Sequence, residues 1–399
     1  MSVTVESLTH LGMGRTDQGD FVPRVLPGEQ IEVADDAVRV LTPSVVRVAP
    51  PCRHFKSCGG CAMQHAADDF VSDWKLSIVQ KALAAHGLAP DFLPVHTSPP
   101  RSRRRAKLAG KRTKKGAMVG FHGRGSDTLI QVPDCQLLTP ALVALFPQLE
   151  QLTVIAASRK AEIALTVTDS VAGADIHIGT ELPLTPDLRI KLASFVQGKP
   201  VARLTWMDEP VVTMHPPHQT FGAADVTPPP GAFLQATADG EAALLKAVQN
   251  AVGSASRITD LFAGCGTFTL PLAERAEVHA VEGEDAMLAA LDRGWRNAQG
   301  LKQVTTETRD LFRRPLEPDE FRHVEAVVID PPRAGAEAQM KPLSQSDVPR
   351  IAMVSCNPVT FARDAATLVH AGFALDWVQV VDQFRWSTHV EVSAQFTRP

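Results

Sequence analysis

The sequence predicts a multidomain α/β protein: a small N-terminal β-barrel, a central, mostly antiparallel α+β domain, and a C-terminal doubly wound parallel sheet. Three observations carry this. The chain has 399 residues, 44% apolar and 21% charged, enough for two or three domains at roughly 100–200 residues each. The first 48 residues read as short alternating runs broken by Gly and Pro turns, the pattern of a small all-β unit. From Phe233 onward apolar strands alternate with helices, as in a parallel sheet covered on both faces.

Composition narrows the class. A mean hydropathy of −0.03 with this apolar fraction fits a globular chain rather than a disordered one. No uncharged apolar run approaches about 18 residues, so no membrane-spanning helix or membrane partner is expected. The start, MSVTVESLTH, has neither the basic nor the apolar region of a secretory signal, and a reducing cytoplasm is the expected compartment. The net charge is only −4, yet residues 101–115 hold nine cations and no Asp or Glu: Arg101, Arg103, Arg104, Arg105, Lys107, Lys111, Arg112, Lys114 and Lys115. One basic stretch on an acidic body reads as a local anion site.

Taken in order, the expected units are 1–48, a β-barrel; 49–68, a cysteine-rich segment; 69–230, the central RNA-binding domain, with the helix at 73–85 a candidate to pack on the last unit instead; and 231–399, the α/β domain. Within the second unit Cys52, Cys58 and Cys61 lie within ten residues, which in a reducing compartment reads as metal or cluster binding rather than disulfides. Residues 73–85 have helical periodicity, with Trp74, Ile78, Val79 and Leu83 on one face. Strands are expected at 117–121, 128–132, 162–167, 176–178 and 202–205, and a Pro-rich linker at 226–231. The last unit predicts helices at 237–252 and 285–297 and buried strands at 257–262, 278–281, 324–329 and 350–354.

Four motifs in that unit carry chemistry. In Asp260-Leu261-Phe262-Ala263-Gly264-Cys265-Gly266-Thr267-Phe268 a strand delivers an acid, glycines let a ligand approach the backbone, and a helix begins. Glu282 ends the next strand, where a carboxylate accepts ribose hydroxyls. Two glycines without a third favour a single nucleoside lacking a pyrophosphate, such as S-adenosylmethionine. Asp330-Pro331-Pro332-Arg333 ends a buried strand in a rigid loop at the ligand-binding edge; Arg333 stands where amine methyltransferases carry an aromatic residue. Cys356, before Asn357-Pro358, ends another apolar strand. Alone it reads as a packing residue; exposed at the edge, with a cation or helix start nearby to lower its pKa, it reads as a nucleophile. His389-Val390-Glu391 offers a base and an orienting group, or ordinary strand alternation.

Together the four match one reaction. Carbon 5 of uracil is not nucleophilic. A thiolate adding to carbon 6 turns it into an enolate that can take a methyl group, after which a base removes the carbon 5 proton and the thiol leaves. To expose those carbons the base must be flipped out of the RNA stack.

The stretches FLQATADG, DLFAGCGTFTLPLA, DPPRAG, SCNPVTFARD and DQFRWSTHVE resemble the RNA uracil-5 methyltransferases (the RumA/TrmA family), and the resemblance covers essentially the whole chain. It implies a Rossmann-like S-adenosylmethionine methyltransferase domain and, from GMGRTDQGDFVPRVLPGE, a TRAM-like barrel. It implies Cys356 as nucleophile and Glu391 as base, with Gln235, Phe262, Gly264, Gly266, Thr267, Glu282, Asp310 and Asp330 holding cofactor or uracil. Thr267 and Ala263 depart from the Asn and Cys the family often has there. The resemblance also implies that Cys52, Cys58, Cys61 and Cys135 bind a [4Fe–4S] cluster; zinc is the rival on ligand type. Residues 101–115 and Arg333 are expected to contact RNA. The expected substrate is 23S ribosomal RNA, with transfer RNA second. An RNA-binding iron–sulfur protein without turnover is the reading from another class, and no obligate protein partner is evident.

Overall fold

A computed structural model describes residues 2–34 and 37–398. The N-terminal part is a curled antiparallel sheet of Ser2–Leu8, Met13–Thr16, Phe21–Pro23, Gln30–Ala34 and Ala37–Thr42, ordered third, second, first, fourth, fifth. Alternate residues Val3, Val5, Val22 and Ile31 turn inward to a small core, as a period of two demands. Buried Glu29 ties this sheet to the next segment: it accepts from Leu26 N–H, Ser44 N–H and the Arg47 guanidinium. Burial alone would raise its carboxyl; these hydrogen bonds outweigh that and hold it below the ordinary range.

The central sheet has seven strands in the order Leu129–Gln131, Ala117–His122, Arg105–Arg112, Ile163–Thr168, Ala174–Gly179, Val201–Trp206, Glu209–Thr213. All pairs are antiparallel except Ala174–Gly179 with Val201–Trp206, joined through the crossover helix Pro186–Val196. The strands follow the expected runs. The helices Pro140–Ala144, Phe146–Ala156 and Pro186–Val196 do not, since the segment reads as strand throughout. Their signals are local: each has Pro in its first turn, and Thr139 and Thr185 cap two of them by accepting from Leu142 N–H and Leu188 N–H.

The C-terminal sheet runs Val304–Thr308, Glu277–Glu282, Arg257–Leu261, Ala326–Ile329, Arg350–Ser355, Glu391–Thr397, Ala374–Asp382, Asp91–Phe92. The first five strands are parallel, and Glu391–Thr397 lies antiparallel to both neighbours. Its strands bury both faces. Val328 points into one core with Leu244 and Val248 of the helix Ala238–Val252; Val327 and Ile329 point into the other with Phe361 and Leu368 of the helix Pro358–His370. Strand order reverses between Arg257–Leu261 and Ala326–Ile329, which opens a crevice at their carboxyl ends.

The segment 69–230 divides in the structure. The helix Asp68–Ala84 sends Val79 and Leu83 into the C-terminal core, and Asp91–Phe92 and His96–Thr97 pair with Ala374–Asp382. The hairpin of Gln219–Phe221 and Ala224–Val226 also packs there, against the helix Asp285–Asn297. The Pro-rich stretch after it is anchored rather than loose: the Pro228 carbonyl accepts from Arg203 and the Gly231 carbonyl from Arg105. No helix of the described residues is long and apolar enough to cross a membrane.

Candidate active site and cysteine pocket

Glu391 begins its strand, whereas Cys356 follows the end of its own. Because the two strands are antiparallel, with Ser355 paired to Val392, both residues arrive at the same sheet edge. Asp330 joins them from the end of Ala326–Ile329, and the three carboxyl and thiol groups feel one another's charge. Burial pushes Glu391 up to about 7, with the Gln383 hydrogen bond opposing it. Burial and then Glu391 raise Asp330 well above its ordinary value. The half-buried Cys356 thiol is pushed up to about 11 by burial, Glu391 and Asp330, which outweigh Arg333. The expected lowering of this thiol is therefore not present: burial, and after it the two acids, outweigh the nearby cation.

The orienting partner of Glu391 is Gln383 rather than His389. Gln383 Nε2 donates to Glu391 Oε2 at 3.0 Å and to Gln235 Oε1 at 2.5 Å, while Gln235 Nε2 faces Asp330 Oδ2 at 3.4 Å. His389 is exposed and its ring meets Phe384 edge-on. No signal in the sequence pairs glutamines 148 positions apart; only the fold brings Gln235 and Gln383 together.

The glycine turn after Arg257–Leu261 is built as expected. Glu282 accepts from Gly264 N–H through one oxygen and from Gly283 and Glu284 N–H through the other. Gly266 has φ +92°, and a Cβ there would lie 2.8 Å from Leu291, so only glycine fits. Phe262 has φ +62° and packs on the exposed Phe312, with ring centroids 5.6 Å apart. Asp310 accepts from Phe312 and Arg313 N–H. Thr267 is half-buried in the same turn. Asp260 gives one oxygen to the Thr269 hydroxyl at 2.6 Å; its other oxygen is buried without a partner. An orphaned carboxylate oxygen beside a glycine turn and a ribose-directed acid fits a nucleoside cofactor carrying a donor group.

Cys52, Cys58, Cys61 and Cys135 are free thiols lining one small pocket of about 20 Å³. Gly60 N–H donates to Cys58 Sγ at 3.3 Å, and the largely buried Arg103 and the more open Arg124 bring positive charge to it. Among the described residues no group of three or more His, Cys, Asp or Glu side chains converges on a single-ion position.

The basic stretch divides. Lys107, Lys111, Lys114 and Lys115 are exposed, as is Arg101, which donates to Gln136 Oε1. Arg112 is half-buried. Arg103, Arg104 and Arg105 turn inward: Arg103 Nε donates to the Arg105 carbonyl, Arg104 pairs with Glu241, and Arg105 holds the Gly231 carbonyl. Arg333 is exposed, and its guanidinium has no hydrogen bond or ion pair within the described residues; its carbonyl accepts from Asn357 Nδ2.

Comparison with known proteins decides the family. A family model described as tRNA (Uracil-5-)-methyltransferase matches residues 228–398. An uncharacterized RNA methyltransferase of Mesorhizobium japonicum is 42% identical over 396 residues, covering 97% of this chain and 95% of that protein. The chain belongs to the RNA uracil-5 methyltransferases. A further member of this family, the 23S rRNA (uracil(1939)-C(5))-methyltransferase RlmD of Chromohalobacter salexigens, is 33% identical over 430 residues, 99% of this chain and 89% of that one. The crystal structure of Pyrococcus abyssi tRNA (uracil-54, C5)-methyltransferase, in complex with S-adenosyl-L-homocysteine, superposes with a TM-score of 0.78 at 20% identity, covering 100% of this chain and 99% of that one. The fold of an RNA uracil-5 methyltransferase thus extends over the whole chain.

Proposed function

We propose that this enzyme methylates carbon 5 of one uridine in structured RNA through a covalent enzyme–RNA adduct. The observation that supports it is the meeting of Cys356, Glu391 and Asp330 in one crevice beside the Glu282 turn. S-adenosylmethionine supplies an electrophilic methyl group when bound; Asp260, Glu282, Gly264, Gly266, Phe262, Thr267 and Asp310 would hold it. The half-buried Cys356 thiol gives its proton to solvent at the crevice, and the thiolate sulfur bonds to carbon 6. Carbon 5 takes the methyl group as the sulfonium–methyl bond breaks. Glu391 then removes the carbon 5 proton, the electron pair re-forms the ring double bond, and the Cys356 thiolate leaves. Asp330, which burial makes readier to hold a proton, is suited to the ring carbonyl, where negative charge develops.

The proposed substrate is 23S ribosomal RNA, on the strength of the likeness to RlmD over almost the full length. Transfer RNA is the second reading, favoured by the family model's description. Exposed Lys107, Lys111, Lys114, Lys115, Arg101 and Arg333, with the open groove beside Lys107 and Arg124, would follow the phosphates, and the curled TRAM-like sheet would extend that track. Mapping 5-methyluridine in RNA from a strain lacking the protein tests this. Loss at one 23S position supports the first reading, loss from transfer RNA selects the second, and no loss in either contradicts both.

The four cysteines would hold a [4Fe–4S] cluster. All four thiols line one pocket, and four thiolates are the ligand set of such a cluster. The cluster's role would be structural, because methyl transfer moves no electrons.

A further inference from the structure

We infer that Gln383 is a positioning residue: one backbone N–H fixes its amide so that it holds Glu391 as an ionised base and turns the Gln235 amide to Asp330. This rests on the covalent mechanism proposed above. Ala236 N–H can only donate, and it donates to Gln383 Oε1 at 2.7 Å. Gln383 Nε2 must then face Gln235 Oε1 and Glu391 Oε2. Gln235, used as an acceptor at its oxygen, turns its own NH₂ to Asp330. Gln383 is 1% exposed, Gln235 2% and Glu391 3%, so water cannot repair a reversed amide. One N–H thereby orders three side chains in series.

The scaffold keeps Gln383 in register. Lys75 Nζ donates to the adjacent Asp382 Oδ1 at 2.6 Å, with both side chains out of solvent. The helix Ala238–Val252 approaches so closely that a Cβ on Gly240 would sit 2.5 Å from Gln383 Cβ. Asp330 and Cys356 feel the charge of Glu391; Arg333 acts on Cys356 and, with Lys75 and Arg103, on His389 two residues before Glu391. From the helix Ala238–Val252, Asp239 and Glu241 are turned to His96 and Arg104. Among the described residues only Gln383 donates to Glu391, whose Oε1 is left for the carbon 5 proton.

Gln383→Glu separates this role from packing. It keeps the oxygen that receives Ala236 N–H and replaces the donor to Glu391 with a second acid. The covalent RNA adduct should resolve about fivefold more slowly at pH 7, with the acid limb of resolution displaced upward by about one pH unit, while its formation slows by less. Gln383→Leu, apolar and of similar volume, should trap the adduct in the same way and covers the case of an unfolded Glu variant. Formation and resolution falling together with an unmoved pH midpoint overturns the inference. If Glu391→Gln traps the adduct and neither Gln383 variant does, the inference falls and the covalent mechanism stands. If Glu391→Gln traps nothing, both fall.

Discussion

Lys75 and Asp382 are 307 positions apart and form a 2.6 Å ion pair with essentially no solvent exposure. The pair joins the helix Asp68–Ala84 to the strand end that carries Gln383, and Lys75 also donates to the Phe384 carbonyl. Removing one partner leaves the other charge buried alone. Lys75→Met should destabilise the protein by about 3–5 kcal/mol, while Lys75→Met with Asp382→Leu should recover part of that loss. Equilibrium chemical denaturation measures both; a single variant within about 0.5 kcal/mol of the parent contradicts this assignment.

The acid limb of turnover follows Glu391. A carboxylic acid takes a proton only when ionised, and burial pushes Glu391 up to about 7. Resolution of the adduct should therefore fall as pH drops through about 7 and level off above it. Single-turnover rates against pH read this directly, and a midpoint near the ordinary carboxylate value of about 4 would remove Glu391 from the step.

The basic stretch should split under mutation as it splits in space. Replacing exposed Lys107, Lys114 and Lys115 with Ala should weaken RNA binding and lower the slope of log K against log salt by about one for each phosphate no longer neutralised. Arg104→Ala should leave that slope alone and lower thermal stability, because Arg104 is paired with the largely buried Glu241. A flattened slope from Arg104→Ala alone would reverse the assignment.

The cysteine pocket predicts colour and stoichiometry. Anaerobically purified protein should be brown with about four irons per chain, and Cys135→Ser should lose iron and the associated absorbance. A colourless protein holding one zinc would contradict the cluster.

Much of this site is legible in the chain itself, for a physical reason. Asp260, Glu282, Asp330 and Cys356 each sit at the end of an apolar run, and parallel strands put such ends on one edge. Glu391 reads the other way, at the start of its strand, and only the antiparallel insertion of Glu391–Thr397 brings it to that edge. Gln383 and Lys75 are invisible in sequence because their partners are set by tertiary packing. The thiol of Cys356 is misjudged for the same reason: burial first, and then two acids gathered by the fold, outweigh the cation beside it. The helices Phe146–Ala156 and Pro186–Val196 are lost among β-branched and aliphatic residues, although Pro at their starts marks them.

The most direct measurement of the central claim is a denaturing gel of the Glu391→Gln variant incubated with the methyl donor and substrate RNA. A shifted protein–RNA band that survives denaturation, disappears with Cys356→Ala and carries the methyl group is the expected result. Full methylation by Cys356→Ala, with no adduct in any variant, would contradict it.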